Sequence, residues 1–187
     1  MIRPGENVRG NRVFLTGFMG SGKSTIGPIL ANTLGWQFVD LDTAVEHSAG
    51  RTINEIFKDK GEGVFRELER ELLKELGVAH HRVVALGGGT IANEQNFRMV
   101  SQTGILVYLK IPPDELFLRL RRKTNRPLLG GGETVRLDEP SLRTRVTELH
   151  RIREPYYNMA DVVVETGSKP VGHTVDEVVR KLIPLIS

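Results

Sequence analysis

The stretch GFMGSGKST, residues 17–25, follows directly on the apolar run RVFLT, residues 12–16. Gly17, Gly22, Lys23 and Ser24 fit the pattern G-x-x-x-x-G-K-[ST]. Glycines at such a turn let backbone N–H groups face inward with no Cβ in the way. A helix that starts there points its positive N-terminus at the same place. Gly20, Ser21, Gly22, Lys23, Ser24 and Thr25 therefore read as a cradle for the phosphates of a nucleotide. Lys23 would reach the β- and γ-phosphates, and the Ser24 hydroxyl suits Mg2+. A glycine-rich turn matched by chance would not be expected to have a strand before it and a helical pattern after it. A strand, a phosphate loop and a helix in that order place the chain in the α/β class.

Outward from the cradle, short apolar runs alternate with longer helical patterns. RVFLT (12–16), QFVD (37–40), RVVAL (82–86), GILVYLK (104–110) and DVVVET (161–166) read as strands. Several are apolar throughout, as strands covered on both faces tend to be. The helix that opens at the cradle should end near Leu34, with Gly35 as its stop. DTAVEHSAG and TINEIFKDKG read as two short helices ending in glycine, followed by the amphipathic GVFRELERELLKEL. PDELFLRLRRK starts with proline and acid and ends in bases, matching the helix dipole. SLRTRVTELHRIREPYY and TVDEVVRKLIPLI supply two more helices. Strands alternating with helices predict a parallel sheet with crossover connections. The glycine-rich, charged stretch 124–139 predicts a surface loop.

Composition sets outer bounds. A chain of 187 residues suits one domain with a real core. It has no cysteine, which rules out disulfides and a cysteine-based zinc site and fits a reducing compartment. Residues 1–10 lack the apolar core of a signal peptide and read as a flexible arm. No apolar run approaches the ~18 residues of a membrane span. A soluble, cytoplasmic protein is expected. A formal charge of +3 is far short of a nucleic-acid-binding signature. The basic run RLRRKTNR (119–126) reads as a solvated helix end or an anion-facing lid, with a nucleic-acid contact, for which it lacks interleaved aromatics, well behind.

Three further features carry chemistry. Asp40 and Asp42 in FVDLD share a face if both lie on a strand, and such carboxylates can hold Mg2+ waters and orient a hydroxyl. Asp42 could equally cap the helix that follows. Gly87, Gly88 and Gly89 in LGGGT remove side chains where a strand ends, so that backbone can approach a ligand closely, although a plain turn is also compatible. Arg66, Arg126 and Arg153, each taken alone, read as surface ion pairs; together with a cradle they could clamp an acidic acceptor and the phosphoryl in transfer. The five histidines show no metal-ligand pairing.

Together, GFMGSGKSTIG, DLD, GEGVFRELE, ALGGGT, RPLL and R-x-P-x-Y resemble the shikimate kinase family, from about residue 11 to the C-terminus. The resemblance implies a three-layer P-loop kinase fold, a five-stranded parallel sheet flanked by helices, in a single domain. It implies a substrate-binding segment at about 41–77 and a closing lid at about 121–139. It also implies transfer of the ATP γ-phosphoryl to the 3-hydroxyl of shikimate, with Mg2+, in aromatic amino-acid biosynthesis, by a monomer that engages neither nucleic acid nor membrane. On the matching positions, Asp42 would hold the acceptor hydroxyls and serve as general base, and Asp40 would hold Mg2+. Arg66 and Arg153 would grip the shikimate carboxylate, with Glu69 bracing them, and Gly87, Gly88 and Gly89 would line the acceptor. Arg126 would reach the phosphates, and Arg119 with Lys169 and Pro170 would pack near adenine. One departure is Tyr156, which stands where the family commonly has leucine in R-x-P-L-Y. Rival readings are a kinase for gluconate or a nucleoside monophosphate, and a nucleotide-gated module that kept the fold without turnover.

Overall fold

The computed structural model describes residues 8–121 and 139–186. Arg126, the predicted lid stretch and most of the predicted N-terminal arm lie outside the described residues. Five strands form one parallel sheet: β1 (Arg12–Thr16), β2 (Gln37–Asp40), β3 (Arg82–Ala85), β4 (Ile105–Lys110) and β5 (Val162–Glu165). Their order is β2-β3-β1-β4-β5. The central strand β1 therefore lies between β3 and β4, and all pairs are parallel.

The period-2 alternation of strand side chains divides the core in two. Phe14, Val84, Leu106 and Tyr108 face one side of the sheet. There they pack with Leu73, Val100, Leu116, Val146 and Tyr157. These come from α3 (Ile53–Leu76), α4 (Glu94–Thr103), α5 (Pro113–Arg121) and α6 (Glu139–Tyr157). Val13, Leu15, Val83, Val107 and Val164 face the other side, against Ile26 and Leu30 of α1 (Lys23–Leu34) and Val178 and Leu182 of α7 (Val171–Ile186). Helices on both faces explain why the strands read as unbroken apolar runs. A smaller cluster, Val45, Ile56 and Phe65, joins α3 to α2 (Leu41–Ala49) outside the sheet.

All five predicted strands are present. Gly35 ends α1 in the left-handed conformation, φ 67°, as its position predicts. The two expected helices at 52–61 and 63–76 form one run, α3, broken at Gly61 by non-helical angles of φ 80° and ψ 172°. Helix α4 was not anticipated, although Asn93 caps it by accepting from the N–H groups of Gln95 and Asn96. Among the described residues no helix is long and apolar enough to cross a membrane.

Candidate active site

The site lies at the carboxyl ends of the strands, where open parallel sheets present their ligand crevice. Two adjoining clefts open there. The first, of about 500 Å³, is lined by Gly20, Gly22, Lys23, Ser24, Thr25, Asp40 and Arg119, among others. The loop after β1 turns through three positive-φ glycines, Gly17, Gly20 and Gly22. No side chain caps α1; the N–H groups of Thr25 and Ile26 donate to the Gly22 carbonyl at 3.0 and 2.8 Å, and the positive end of the helix faces the cleft. Lys23 Nζ folds over this loop and donates to the carbonyls of Gly17 (2.7 Å) and Phe18 (3.2 Å). Ser21 is fully buried and lines neither cleft.

Ser24 Oγ donates to Asp40 Oδ2 at 3.0 Å. The other oxygen, Asp40 Oδ1, accepts from the N–H of Asp42 (3.1 Å) and of Thr43 (3.4 Å). The helix cap is therefore Asp40, not Asp42. Strand β2 ends at Asp40 and α2 begins at Leu41, so the two carboxylates do not share a strand face. Asp42 therefore lies in the first turn of α2, where it lines both clefts. A hydroxyl and a carboxylate oxygen side by side are hard donors of the kind Mg2+ takes when phosphates and water complete its shell. No group of three or more metal-ligating His, Asp or Glu side chains occurs among the described residues.

Arg119 on α5 spans two loops, donating to the Gly20 carbonyl (3.0 Å) and the Gly167 carbonyl (2.9 Å). Lys169 instead pairs with Glu177 of α7 at 3.1 Å, and neither it nor Pro170 lines either cleft.

The second cleft, of about 370 Å³, has an apolar wall from Ile53, Phe57 and Phe65 and a polar end. Phe57 and Phe65 lie on either side of Gly61, and the kink brings their rings to 5.1 Å. At the polar end two guanidinium groups converge on the glycine turn after β3. A methyl group built at Gly89 would lie 3.1 Å from Arg66 Nη2 and 3.3 Å from Arg153 Nη2. Arg66 is held from behind: Nη1 donates to Glu69 Oε2 (2.9 Å), while Nε and Nη2 donate to Glu62 Oε1 (3.2 and 3.0 Å). Glu69 is 1% exposed and takes a second hydrogen bond from Thr90 Oγ1 at 2.6 Å.

Arg153 is 5% exposed, and its Nη1 has no hydrogen-bond partner among the described residues. Its charge faces the Phe18 ring at 5.6 Å. Burial holds its pKa below the ordinary arginine value; Tyr157 pulls the other way, and the nearby charge of Arg66 adds to the depression. For Arg66, burial also acts downward, but Glu69 and Glu62 together outweigh it and the net shift is upward. Both groups remain cations at physiological pH. A buried cation with an incomplete set of partners, beside a second cation, suits the binding of an anion. Tyr157 seats the turn by donating its hydroxyl to the Gly88 carbonyl, and burial pushes its pKa up.

Met19, Asp42, Thr43 and Gly88 line both clefts, and Asp42 is the ionisable side chain among them. The structure thus gathers Lys23, Ser24, Asp40, Asp42, Arg66, Arg119, Arg153 and the glycine turn into one crevice. Sequence reasoning missed the apolar wall and the hydroxyl of Thr90. The even spacing of Phe57 and Phe65 around Gly61 was the available signal for the wall.

The shikimate kinase family model matches residues 19–184. The shikimate kinase of Chlorobaculum parvum is 49% identical over 170 residues, which cover 91% of each chain. The solved structure of Acinetobacter baumannii shikimate kinase in complex with shikimate superposes with a TM-score of 0.84 at 34% identity, covering 94% of both chains. A gluconokinase from Sinorhizobium meliloti shares the fold alone, with a TM-score of 0.58 at 17% identity. With the crevice, the family match and these relatives in agreement, the chain belongs to the shikimate kinase family.

Proposed function

We propose that the two clefts hold ATP and shikimate respectively, and that Asp42 works at the boundary between them. As a shikimate kinase, the chain transfers the γ-phosphoryl of ATP to the 3-hydroxyl of shikimate, giving shikimate 3-phosphate and ADP. The observation that carries the residue assignment is that Asp42 lines both clefts. A group there can hold the acceptor hydroxyl and take its proton as the new P–O bond forms.

The other roles are assigned by the resemblance and by the lining of the two clefts, and that of Arg126 by the resemblance alone. The loop backbone at Gly20, Ser21 and Gly22, with Lys23 and Thr25, would bind the phosphates. Lys23 would exchange its bonds to the loop carbonyls for phosphate oxygens. Ser24 and Asp40 would hold Mg2+, which supplies charge neutralisation on the phosphates when bound. Arg126 would add positive charge at the transferring group. Arg119 would border the base; Lys169 and Pro170, which line neither cleft, are given no contact with it. Arg66 and Arg153 would take the shikimate carboxylate, a planar anion suited to guanidinium forks. Gly87, Gly88 and Gly89 would let the ring approach the backbone. In this reading 1–187 is a single domain, 41–77 carries much of the acceptor site, and the enzyme works as a cytoplasmic monomer.

ADP release measured with MgATP and either shikimate or gluconate tests the assignment. Shikimate should drive turnover and gluconate little, and Asp42→Asn should abolish most shikimate-dependent turnover while sparing ATP binding. Full activity in a folded Asp42→Asn variant would remove Asp42 from the proton transfer.

A further inference from the structure

We propose that Thr90 is a positioning residue that couples the hydroxyl-handling and carboxylate-handling halves of the acceptor site; this rests on the roles assigned to Asp42 and Arg66 above. Thr90 follows the glycine turn and is fully buried. Its hydroxyl donates to Glu69 Oε1 at 2.6 Å, while the other oxygen of that carboxylate holds Arg66 Nη1 at 2.9 Å. Its own backbone is fixed at both ends. The Thr90 N–H donates to the Gly87 carbonyl at 3.1 Å, and its carbonyl accepts from Asn96 Nδ2 of α4 at 3.0 Å.

The same hydroxyl and the Asp42 carboxylate both approach Gly87. A methyl group placed on Gly87 would lie 2.9 Å from Asp42 Oδ1, 3.0 Å from Thr90 Oγ1 and 3.2 Å from Glu69 Oε1. Three oxygens from α2, α3 and the turn thus surround one point, and two of them belong to carboxylates. Thr90 supplies the O–H donor at this point. It commits Glu69 Oε1 to the turn and leaves Oε2 to Arg66. Without that donor, a buried carboxylate has one oxygen unpaired. Its nearest remedy is to take Arg66 through both oxygens, which draws the guanidinium away from Arg153 and Gly89. The consequence falls on acceptor recognition and leaves the nucleotide cleft as it is.

Thr90→Val keeps the shape and removes the donor, whereas Thr90→Ser keeps the donor. Thr90→Val should raise the KM for shikimate about ten-fold, in line with loss of one buried bond to a charged group. The KM for ATP should stay within about two-fold, and Thr90→Ser should restore the shikimate KM. If the valine variant does not fold, Thr90→Ala carries the same test with less bulk. Equal changes in both KM values, or a serine variant as impaired as valine, would overturn the proposal. Arg66→Ala, measured alongside, separates the two readings. If it leaves the shikimate KM unchanged, the carboxylate clamp fails. If it raises that KM while Thr90→Val does not, only the role of Thr90 fails. Combining Thr90→Val with Arg66→Ala should give less than the summed effect, because both act through one guanidinium.

Discussion

Gly87 has no side chain, and three oxygens stand where one would be. An alanine there is not opposed by backbone angles, because Gly87 does not have a positive φ. It is opposed by contact: the new methyl would press on Asp42 Oδ1 at 2.9 Å, closer than such atoms approach. The short Asp42 side chain would have to turn. Displacement of a reacting group by about 1 Å can lower a rate about 100-fold. Gly87→Ala should therefore lower kcat by about that factor, with overpacking lowering stability by only ~1–3 kcal/mol. Steady-state kinetics beside a denaturant titration would check it, and an unchanged kcat would show that the position of Asp42 is not limiting. At this scale the sequence was partly legible. Three glycines in a row announced a close approach, but not that a carboxylate of the protein itself stands against the first of them. Asp40 and Asp42 were legible as functional candidates, but their backbone was not. A spacing of two fits one strand face, yet here a strand ends and a helix starts between them, which moves the cap from one to the other.

Among the elements, α3 does most to shape the acceptor cleft. Thr52 starts it with a capping box to Glu55, and Glu46 of α2 accepts the Ile53 N–H at 2.9 Å. Its first part carries Ile53 and Phe57, and its second carries Phe65, Arg66 and Glu69. Gly61 sets the angle between the parts. At φ 80° an L side chain is strained, although nothing lies within 4 Å of a Cβ built there. Gly61→Ala should consequently lower stability by about 1–3 kcal/mol through strain alone. It should also raise the KM for shikimate, because relief of the strain straightens the helix and moves Phe57 relative to Arg66. Urea unfolding and acceptor kinetics on one preparation would test both; a loss of stability with an unchanged KM would mean that the kink does not set the cleft. The glycine stop was legible because glycine in a helical pattern has few other uses. Helix α4 was not, since Phe97 and Val100 give a thin apolar stripe in a largely polar stretch. Its apolar face became evident only from the sheet it covers.

For the molecule as a whole, the class was legible and the strand order was not. Unbroken apolar runs show that both faces are covered, but they carry no mark of which strand pairs with which. The order β2-β3-β1-β4-β5 matters because it sets the phosphate loop after β1 beside the glycine turn after β3. Helix α6 touches both, His150 against Phe18 and Tyr157 against Gly88, and brings Arg153, distant in sequence, to Arg66. That convergence has an energetic consequence. Arg153 is buried with one nitrogen unpartnered among the described residues, and a second cation is close by. Such a charge stabilises the bound anion and does little for the empty fold. Replacing it by methionine, of similar length and apolar, removes the cost of the desolvated charge, which offsets loss of the contact to Phe18, worth about 2 kcal/mol in a desolvated pair. The unliganded Arg153→Met protein should therefore melt within about 2–4 °C of wild type, the equivalent of ~1 kcal/mol for a chain of this size. Shikimate at a hundred times its Kd should stabilise wild type by about 2.7 kcal/mol, or roughly 5–10 °C. In Arg153→Met the same concentration should shift the melting temperature little, while the shift with MgADP should persist. A variant that melts far below wild type yet keeps its full shikimate shift would make Arg153 a structural cation, and would leave Arg66 to hold the carboxylate alone.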